Sequence, residues 1–298
     1  GTSASPYQID SLAKLQGMQA DRAAAYVLVQ DIDASATQEW NGGEGFAPIG
    51  AEHPRFTGSF DGANYAITGL TVDRNGQFNG LFGLVNGGVI ESVGLLKVNV
   101  TGIKNVGGLV GLMKRGTVVR ESYTTGSVSA GEKIGGLVGQ VQGGSNRIVR
   151  SYSSTTVTSP KLVGGLVGIM TGTEIVDSYA RGSVNANGGT EAVGGLVGRK
   201  DDASTVTESY WDKEATGQST SAGGTGLATS VMTGVSAASK TGMVGFDFEA
   251  NWSTVGIGED DAIADGYPVS RSSDRRTQLL AQDAWTYAGG FGTESSPY

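Results

Sequence analysis

Short apolar segments rich in Val, Ile and Leu alternate along the chain with Gly, Ser and other polar residues. Segments of this kind predict β-strands, because amphipathic helices show apolar residues at three- and four-residue spacing and few internal glycines. One phrase recurs as "NGLFG" at Asn79 and as "GGLVG" at Gly107, Gly135, Gly164 and Gly194, in steps of 28, 28, 29 and 30 residues. A nearly fixed period in this range predicts a solenoid in which each repeat forms one coil.

A second phrase follows the first in each repeat, as "IESV", "RESY", "VRSY", "VDSY" and "TESY". Taking Ser92, Ser122, Ser151, Ser178 and Ser209 as equivalent, a charged residue precedes each serine and, in four repeats, a tyrosine follows it. Residues two apart on a strand share a face, and unpaired charge in every coil cannot stack in a dry core. The serines are therefore predicted to point inward. The outer tyrosine ladder, a column with one ring per coil, comprises Tyr123, Tyr152, Tyr179 and Tyr210.

Three further columns are predicted to form the core. They are Leu81, Leu109, Leu137, Leu166 and Leu196; Val89, Val119, Ile148, Ile175 and Val206; and Val98, Val128, Val157 and Val184. The odd spacing between the charged position and the last two columns requires a corner or a bulge. Each leucine is followed by Phe82 or a valine, and strict alternation cannot bury both neighbours. We place the leucines inside and leave the orientation of the valines open.

The segments on either side of the coils differ from them. "QIDSLAKLQGMQ" predicts a short amphipathic helix with Asp10 or Ser11 as N-cap, which would cover the open strand edges of the first coil. After Tyr210 the pattern loosens into a long polar loop that we expect to lie across the side of the solenoid. "GMVGFDFEANWSTV" then supplies one more strand.

These patterns predict an all-β fold: a right-handed parallel β-helix with an N-terminal capping helix. We assign residues 1–270 to one module, with the regular coils at 79–210. Residues 271–298 are interpreted as a joint followed by the start of a tandem module, because "GTESSPY" at the end repeats "GTSASPY" at the beginning.

The "GGLVG" coils followed by "SY" strands resemble the GLUG-motif repeats of bacterial surface and secreted proteins. These include filamentous-haemagglutinin-like adhesins and the non-catalytic repeat region of IgA1-protease-type proteins. The resemblance extends to "FTGSFDGANYAITGLTV", "SYWDKEATGQ" and "DGYPVSR". It implies a β-helix fold and an extracellular or cell-surface location. The resemblance does not indicate which activity the protein has, since the repeat accompanies quite different partner domains.

Composition and charge narrow the range of partners. A net charge of −8 and a single compact basic spot, Arg275–Arg276, argue against nucleic acid, whose phosphates need clustered cations. The absence of cysteine excludes disulfides and thiolate metal sites. No apolar stretch approaches the roughly 18 residues of a membrane span.

Few residues are candidates for chemistry. His53 is the only histidine, which excludes a multi-histidine metal site, and its "AEHPRF" context indicates a surface loop. Asp212 with Glu214 and Asp247 with Glu249 are spaced i,i+2, which on a strand nearly gives the carboxyl separation of about 5 Å that a retaining glycosidase requires. Glu259, Asp260, Asp261 and Asp265 could ligate calcium, although their spacing matches no known loop motif and favours a solvated acidic turn. We expect no other cofactor.

The function that fits best is a rigid stalk or a glycan- or surface-binding scaffold within an adhesin or other surface protein, with neighbouring tandem modules as partners. The outer tyrosine ladder is the candidate platform for a glycan or host ligand. The alternative is a polysaccharide-cleaving β-helix enzyme, a lyase or glycoside hydrolase, that uses the carboxylates above.

Overall fold

The computed structural model describes residues 1–51, 53–189, 191–253 and 266–270. Within these ranges the chain forms a β-solenoid whose coils stack as three parallel sheets, which confirms the predicted parallel β-helix. We call the sheets wall 1, wall 2 and wall 3. The candidate joint at 271–298 and the calcium candidates Glu259, Asp260, Asp261 and Asp265 lie outside the described residues.

Wall 1 has eight strands, wall 2 has five and wall 3 has twelve. Wall 1 contains Tyr7–Ile9, Ala25–Leu28, Ser59–Asp61, Val89–Glu91, Val118–Arg120, Asn146–Val149, Thr173–Val176 and Thr205–Thr207. Wall 2 contains Phe82–Asn86, Val110–Lys114, Val138–Gln142, Val167–Met170 and Val197–Lys200. Wall 3 contains Ile32–Asp33, Ala66–Thr68, Thr71–Asp73, Gly94–Gly107, Tyr123–Gly135, Tyr152–Thr158, Lys161–Gly164, Tyr179–Ala180, Val184–Asn185, Glu191–Gly194, Tyr210–Asp212 and Thr225–Leu227.

The "GGLVG" phrase forms the corner between wall 3 and wall 2. Its leucines occupy the corner itself, and in the middle coils the leucine amide donates to the leucine carbonyl of the next coil, as from Leu109 to Leu137 and from Leu137 to Leu166. The corner turns the chain between adjacent residues, so that both the leucines and the following valines are completely buried in one core. The prediction of inward leucines is therefore confirmed, and the valines point inward as well.

The second glycine of the phrase packs against wall 3. A Cβ on Gly108 would lie 3.0 Å from Cγ2 of Thr124, and on Gly165 it would lie 2.9 Å from Cβ of Ala180. These contacts face the column Leu95, Thr124, Ser153, Ala180 and Trp211, which runs in register across wall 3. The glycine carbonyl of the next coil would lie closer still, 2.7 Å from a Cβ on Gly108 and 2.2 Å from one on Gly165. The recurring glycine is thus required by the close approach of both wall 3 and the next coil.

The first regular coil is offset by one residue from the phrase alignment. Ile90, not Val89, pairs with Val119 and is buried, and Gly94 takes the register position of Tyr123. Val93 therefore lies where later coils have serine, and the predicted equivalence of Ser92 with Ser122 is wrong. A register shift also follows Thr124, where wall 3 carries the predicted bulge and Val128 pairs with Val100. Both Val98 and Val100 are nevertheless buried.

The N-terminal helix is present. Helix α1, Leu12–Gly17, begins after Ser11, whose hydroxyl accepts from the Lys14 amide at 3.4 Å, and 3₁₀ turns follow at Met18–Ala20 and Ser35–Gly43. Leu15 and Met18 are completely buried in the solenoid core.

The segment after the last full coil contains three short helices. They are α2 (Lys213–Thr216), α3 (Thr229–Met232) and α4 (Gly234–Ala237). The predicted further strand is only Trp252–Ser253, and it pairs antiparallel with Val269–Ser270. We call the described residues 228–253 and 266–270 the cap segment.

Candidate functional site

The outer tyrosine ladder starts from a tight corner between wall 1 and wall 3. Glu121, Arg150 and Asp177 adopt left-handed backbone conformations, with φ of 51°, 46° and 48°. The next residue in each coil is a buried serine, as predicted. Its hydroxyl donates to the carbonyl two residues earlier and accepts the corresponding amide of the preceding coil, as Ser151 does with Val149 and Ser122. The corner thus fixes where each tyrosine leaves the wall.

The rings stack face to face outside the coil. The centroids of Tyr123 and Tyr152 are 4.9 Å apart with an interplanar angle of 2°, and those of Tyr152 and Tyr179 are 4.8 Å apart at 3°. These spacings match the separation of neighbouring strands. The column ends at Gly94, where the Tyr123 ring occupies the space that a side chain would need.

The cap segment covers this ladder. The rings of Trp252 and Phe246 stack with their centroids 4.6 Å apart, and the Trp252 centroid lies 5.9 Å from that of Tyr179. The Tyr179 hydroxyl donates to the Pro268 carbonyl at 2.6 Å, and the Tyr210 hydroxyl donates to the Val244 carbonyl. Together with Met232, Met243 and Tyr267, these residues form a second hydrophobic core that is separate from the coil interior.

The prediction of an exposed tyrosine platform is therefore wrong. The four rings do lie outside the coil wall, but Tyr152 and Tyr179 are at most 1% exposed, and Tyr123 and Tyr210 are 7% exposed. Burial raises the pKa of the Tyr152 and Tyr179 phenols. In this conformation the rings cannot contact a sugar, and their contacts are those of a docking surface for the cap segment.

The candidate catalytic carboxylates also belong to this region, and neither pair shares a strand face. Asp212 is completely buried. Its Oδ1 accepts the amides of Glu214 and Ala215 as the N-cap of α2, and its Oδ2 accepts the Tyr267 hydroxyl at 2.5 Å. Glu214 accepts the amide of Thr229. The pair thus joins the last coil to the cap segment.

Asp247 and Glu249 lie in a turn and not on the predicted strand. Asp247 Oδ1 accepts the amides of Glu249 and Ala250, a pattern that stabilises the turn. The i,i+2 separation expected on a strand therefore does not apply to either carboxylate pair, because a helix cap and a turn replace the strand geometry.

One carboxyl pair that sequence reasoning missed lies beside the cap segment, with Asp177 half-buried and Glu208 exposed. Asp177 and Glu208 occupy the same corner position in successive coils, and Gly245 lies directly against the Glu208 side chain. Burial, with Glu208 as the next contribution, raises the pKa of Asp177 to about 6 despite nearby Arg150, and Asp247 adds to the rise. The signal was present in the sequence: the charge at this position alternates from Glu121 to Arg150, and then two acids follow.

Two shallow grooves cross the outer surface. One, of about 310 Å³, runs along wall 3 and is lined by Asn75, Thr101, Gly102, Ser129, Ala130, Thr158, Ser159 and Asn187. The other, of about 470 Å³, lies beside the turns that lead into wall 1 and contains Arg147 and Glu174, which pair at 2.6 Å. Among the described residues, no three His, Asp or Glu side chains are grouped so that they could hold a metal ion.

Comparisons with known proteins find similarity to parts of longer proteins. No family model matches it. It is 38% identical over 296 residues to halomucin of Haloquadratum walsbyi, an alignment that covers 85% of this chain and 3% of halomucin. Over 99 residues it is 37% identical to a protein of Evansella cellulosilytica assigned as a Gly-rich membrane protein, covering 32% of this chain and 11% of that protein. The chain thus spans only a small part of these relatives.

Two solved structures share the fold. A Bacteroides ovatus protein assigned as an immunoglobulin A1 protease matches with a TM-score of 0.67 and 19% identity, covering 92% of this chain and 94% of that one. An IgA1 protease matches with a TM-score of 0.52 and 20% identity, covering 74% of this chain and 19% of that one. At these identities the similarity shows the β-helix fold. In the described part of this chain, none of the helices is long and apolar enough to cross a membrane.

Proposed function

We propose that this chain is a β-helix module of a larger surface or secreted protein, in which it acts as a rigid spacer. The observation that carries the proposal is the unbroken register of wall 1. A single column includes one residue from each of its eight strands: Gln8, Val27, Asp61, Glu91, Arg120, Val149, Val176 and Thr207. Such stacking holds the two ends of the module at a fixed separation.

Several findings support the surface or secreted location. The sequence resembles GLUG-motif surface proteins, the fold is shared with IgA1-protease-type structures, and the chain aligns with a small part of the much longer halomucin. Labelling intact cells of the source organism with an antibody to this module tests the location. A signal that appears only after the cells are lysed would contradict it.

The spacer function is tested by a distance measurement along wall 1. The chain has no cysteine, so Gln8→Cys and Thr207→Cys, both at exposed positions, can be spin-labelled selectively. Seven inter-strand steps of about 4.8 Å predict a separation of about 34 Å. Double electron–electron resonance should give one narrow distribution near this value. A broad distribution, or one that moves on mild heating below the melting temperature, would exclude a rigid spacer.

A further inference from the structure

The groove on wall 3 crosses successive coils from Asn75 to Asn187, parallel to the solenoid axis. Its centre is a register column of hydroxyls, in which Thr101 pairs with Ser129 and Ser129 pairs with Thr158. The floor beside that column consists of Gly102 and Ala130, which are also in register. The fold thus repeats one small polar unit every 4.8 Å or so along the groove.

The chemistry of the lining restricts the ligand. The described residues that line the groove carry no charged and no large apolar side chain, although the Asp73 carboxylate borders it at one end, in register with Thr101. A phosphate-rich ligand would find no cation, and an amphipathic helix or a lipid would find no apolar surface. The strand amides at the groove centre are already paired between coils, so an added peptide strand has no free edge there.

Hydroxyl and amide groups remain, and they can donate and accept hydrogen bonds. Thr101 donates its hydroxyl proton to Asp73, whereas within the described part of the chain Ser129 and Thr158 make no side-chain hydrogen bond to another protein group. A ligand that is uncharged, extended and rich in hydroxyls is complementary to such a surface.

We infer that the wall 3 groove binds an extended stretch of a neutral polysaccharide, aligned with the solenoid axis. This site is distinct from the outer tyrosine ladder, which the cap segment covers. The inference does not depend on the spacer function: a module that fails to bind glycans can still be rigid, and the spin-label distance tests rigidity separately.

The same strands provide a matched control. Ser129→Ala with Thr158→Val removes two hydroxyls from the groove lining. Ser127→Ala with Thr156→Val makes identical changes two residues earlier, on the same outward face and in the same register, at exposed positions outside the groove. Both double variants should keep the far-UV circular dichroism spectrum and melting temperature of the wild type, because all four side chains lie outside the core.

Binding is measured by isothermal titration calorimetry with cellohexaose, laminarihexaose and maltohexaose as neutral probes, and with hexagalacturonate as an acidic probe. We expect at least one neutral probe to bind, the groove variant to weaken that binding about tenfold or more, and the control variant to stay within about twofold. The inference is overturned if no neutral probe binds at millimolar concentration, if only hexagalacturonate binds, or if both variants weaken binding equally.

Discussion

Leu137 occupies the corner between wall 3 and wall 2, where its amide and carbonyl pair with the leucines of the neighbouring coils. Its side chain is completely buried, as are Leu109 and Leu166 on either side. If the Leu137 side chain were truncated, neither Leu109 nor Leu166 could move to fill the cavity, because both are held in the same column.

Leu137→Ala should therefore destabilise the module by about 2–5 kcal/mol, as expected for truncation of a buried leucine. Chemical denaturation monitored by circular dichroism measures the change. Thr156→Ala, at an exposed position of the same solenoid, serves as the surface control. Equal effects of the two substitutions would show that Leu137 is not part of a close-packed column.

Asp177 is a residue whose ionisation destabilises the folded state. Its carboxyl group is partly buried next to Glu208 from the following coil, with Asp247 of the cap segment nearby. Arg150 of the preceding coil opposes these effects, but the pKa of Asp177 is still raised from 3.8 to about 6. The folded state therefore binds more protons than the unfolded state between these two values. Stability is highest below about pH 4 in this respect and falls as the pH rises through 6.

Asp177→Asn removes this ionisation and should raise the melting temperature at pH 7.5, with the gain disappearing at pH 4. Differential scanning fluorimetry across this range provides the measurement. Asp202→Asn, at an exposed position, should show no such pH-dependent gain. A gain for Asp177→Asn that persists unchanged at pH 4 would mean that relief of charge is not its cause.

At the scale of elements, the cap segment and the outer tyrosine ladder form a second core with unequal polar contacts. The Tyr179 hydroxyl donates to Pro268, whereas the equally buried Tyr152 hydroxyl has no hydrogen-bond partner in the described structure. The two rings stack in parallel and differ mainly in this respect.

Paired Tyr→Phe substitutions separate packing from hydrogen bonding. Tyr179→Phe leaves the Pro268 carbonyl without its donor and should cost about 1 kcal/mol, whereas Tyr152→Phe removes an unsatisfied buried hydroxyl and should be neutral or stabilising. Equilibrium denaturation followed by circular dichroism measures the change in unfolding free energy for both variants. A larger loss for Tyr152→Phe than for Tyr179→Phe would indicate that the Tyr152 hydroxyl has a partner of its own.

The same elements show how far the sequence could be interpreted. The coils were predictable, because stacked residues must repeat the same chemistry in every turn, and Leu, Ser and Tyr recur at nearly the same spacing. The offset at Ser92 was not predictable from the repeated sequence motifs, because aligning the serines was the simplest choice. Only the backbone register shows that Val93, and not Ser92, occupies the position of Ser122. The face of the tyrosines was inferred correctly, but their exposure was not.

The reason lies in the cap segment, which is not periodic and makes its contacts across long stretches of sequence. Tyr179 and Pro268 are 89 residues apart, and Asp212 and Tyr267 are 55 apart. The sequence around either contacting residue contains no pattern that predicts such a contact. The strand geometry expected for Asp212 and Glu214 was wrong for a related reason, because Asp212 caps a helix of only four residues, too short to show a periodic pattern.

At the scale of the whole molecule, the coils form one continuous core from Ile9 to Trp211. Hydrogen bonds between coils run along the solenoid axis, and each wall passes from one coil to the next without interruption by another fold. The cap segment adds lateral contacts to Tyr179 and Tyr210, and thus touches two successive coils from outside the coil core.

This lateral contact has a mechanical consequence. In a solenoid without such a segment, tension on the carboxyl end would peel the terminal coil first, since only one row of hydrogen bonds resists at a time. Here the cap segment, which follows the last coil, packs against Tyr179 of the preceding coil, so an external load reaches the terminal coil only after the cap segment has been pulled away. We therefore expect the cap segment to detach first under tension, while the stacked coils stay folded.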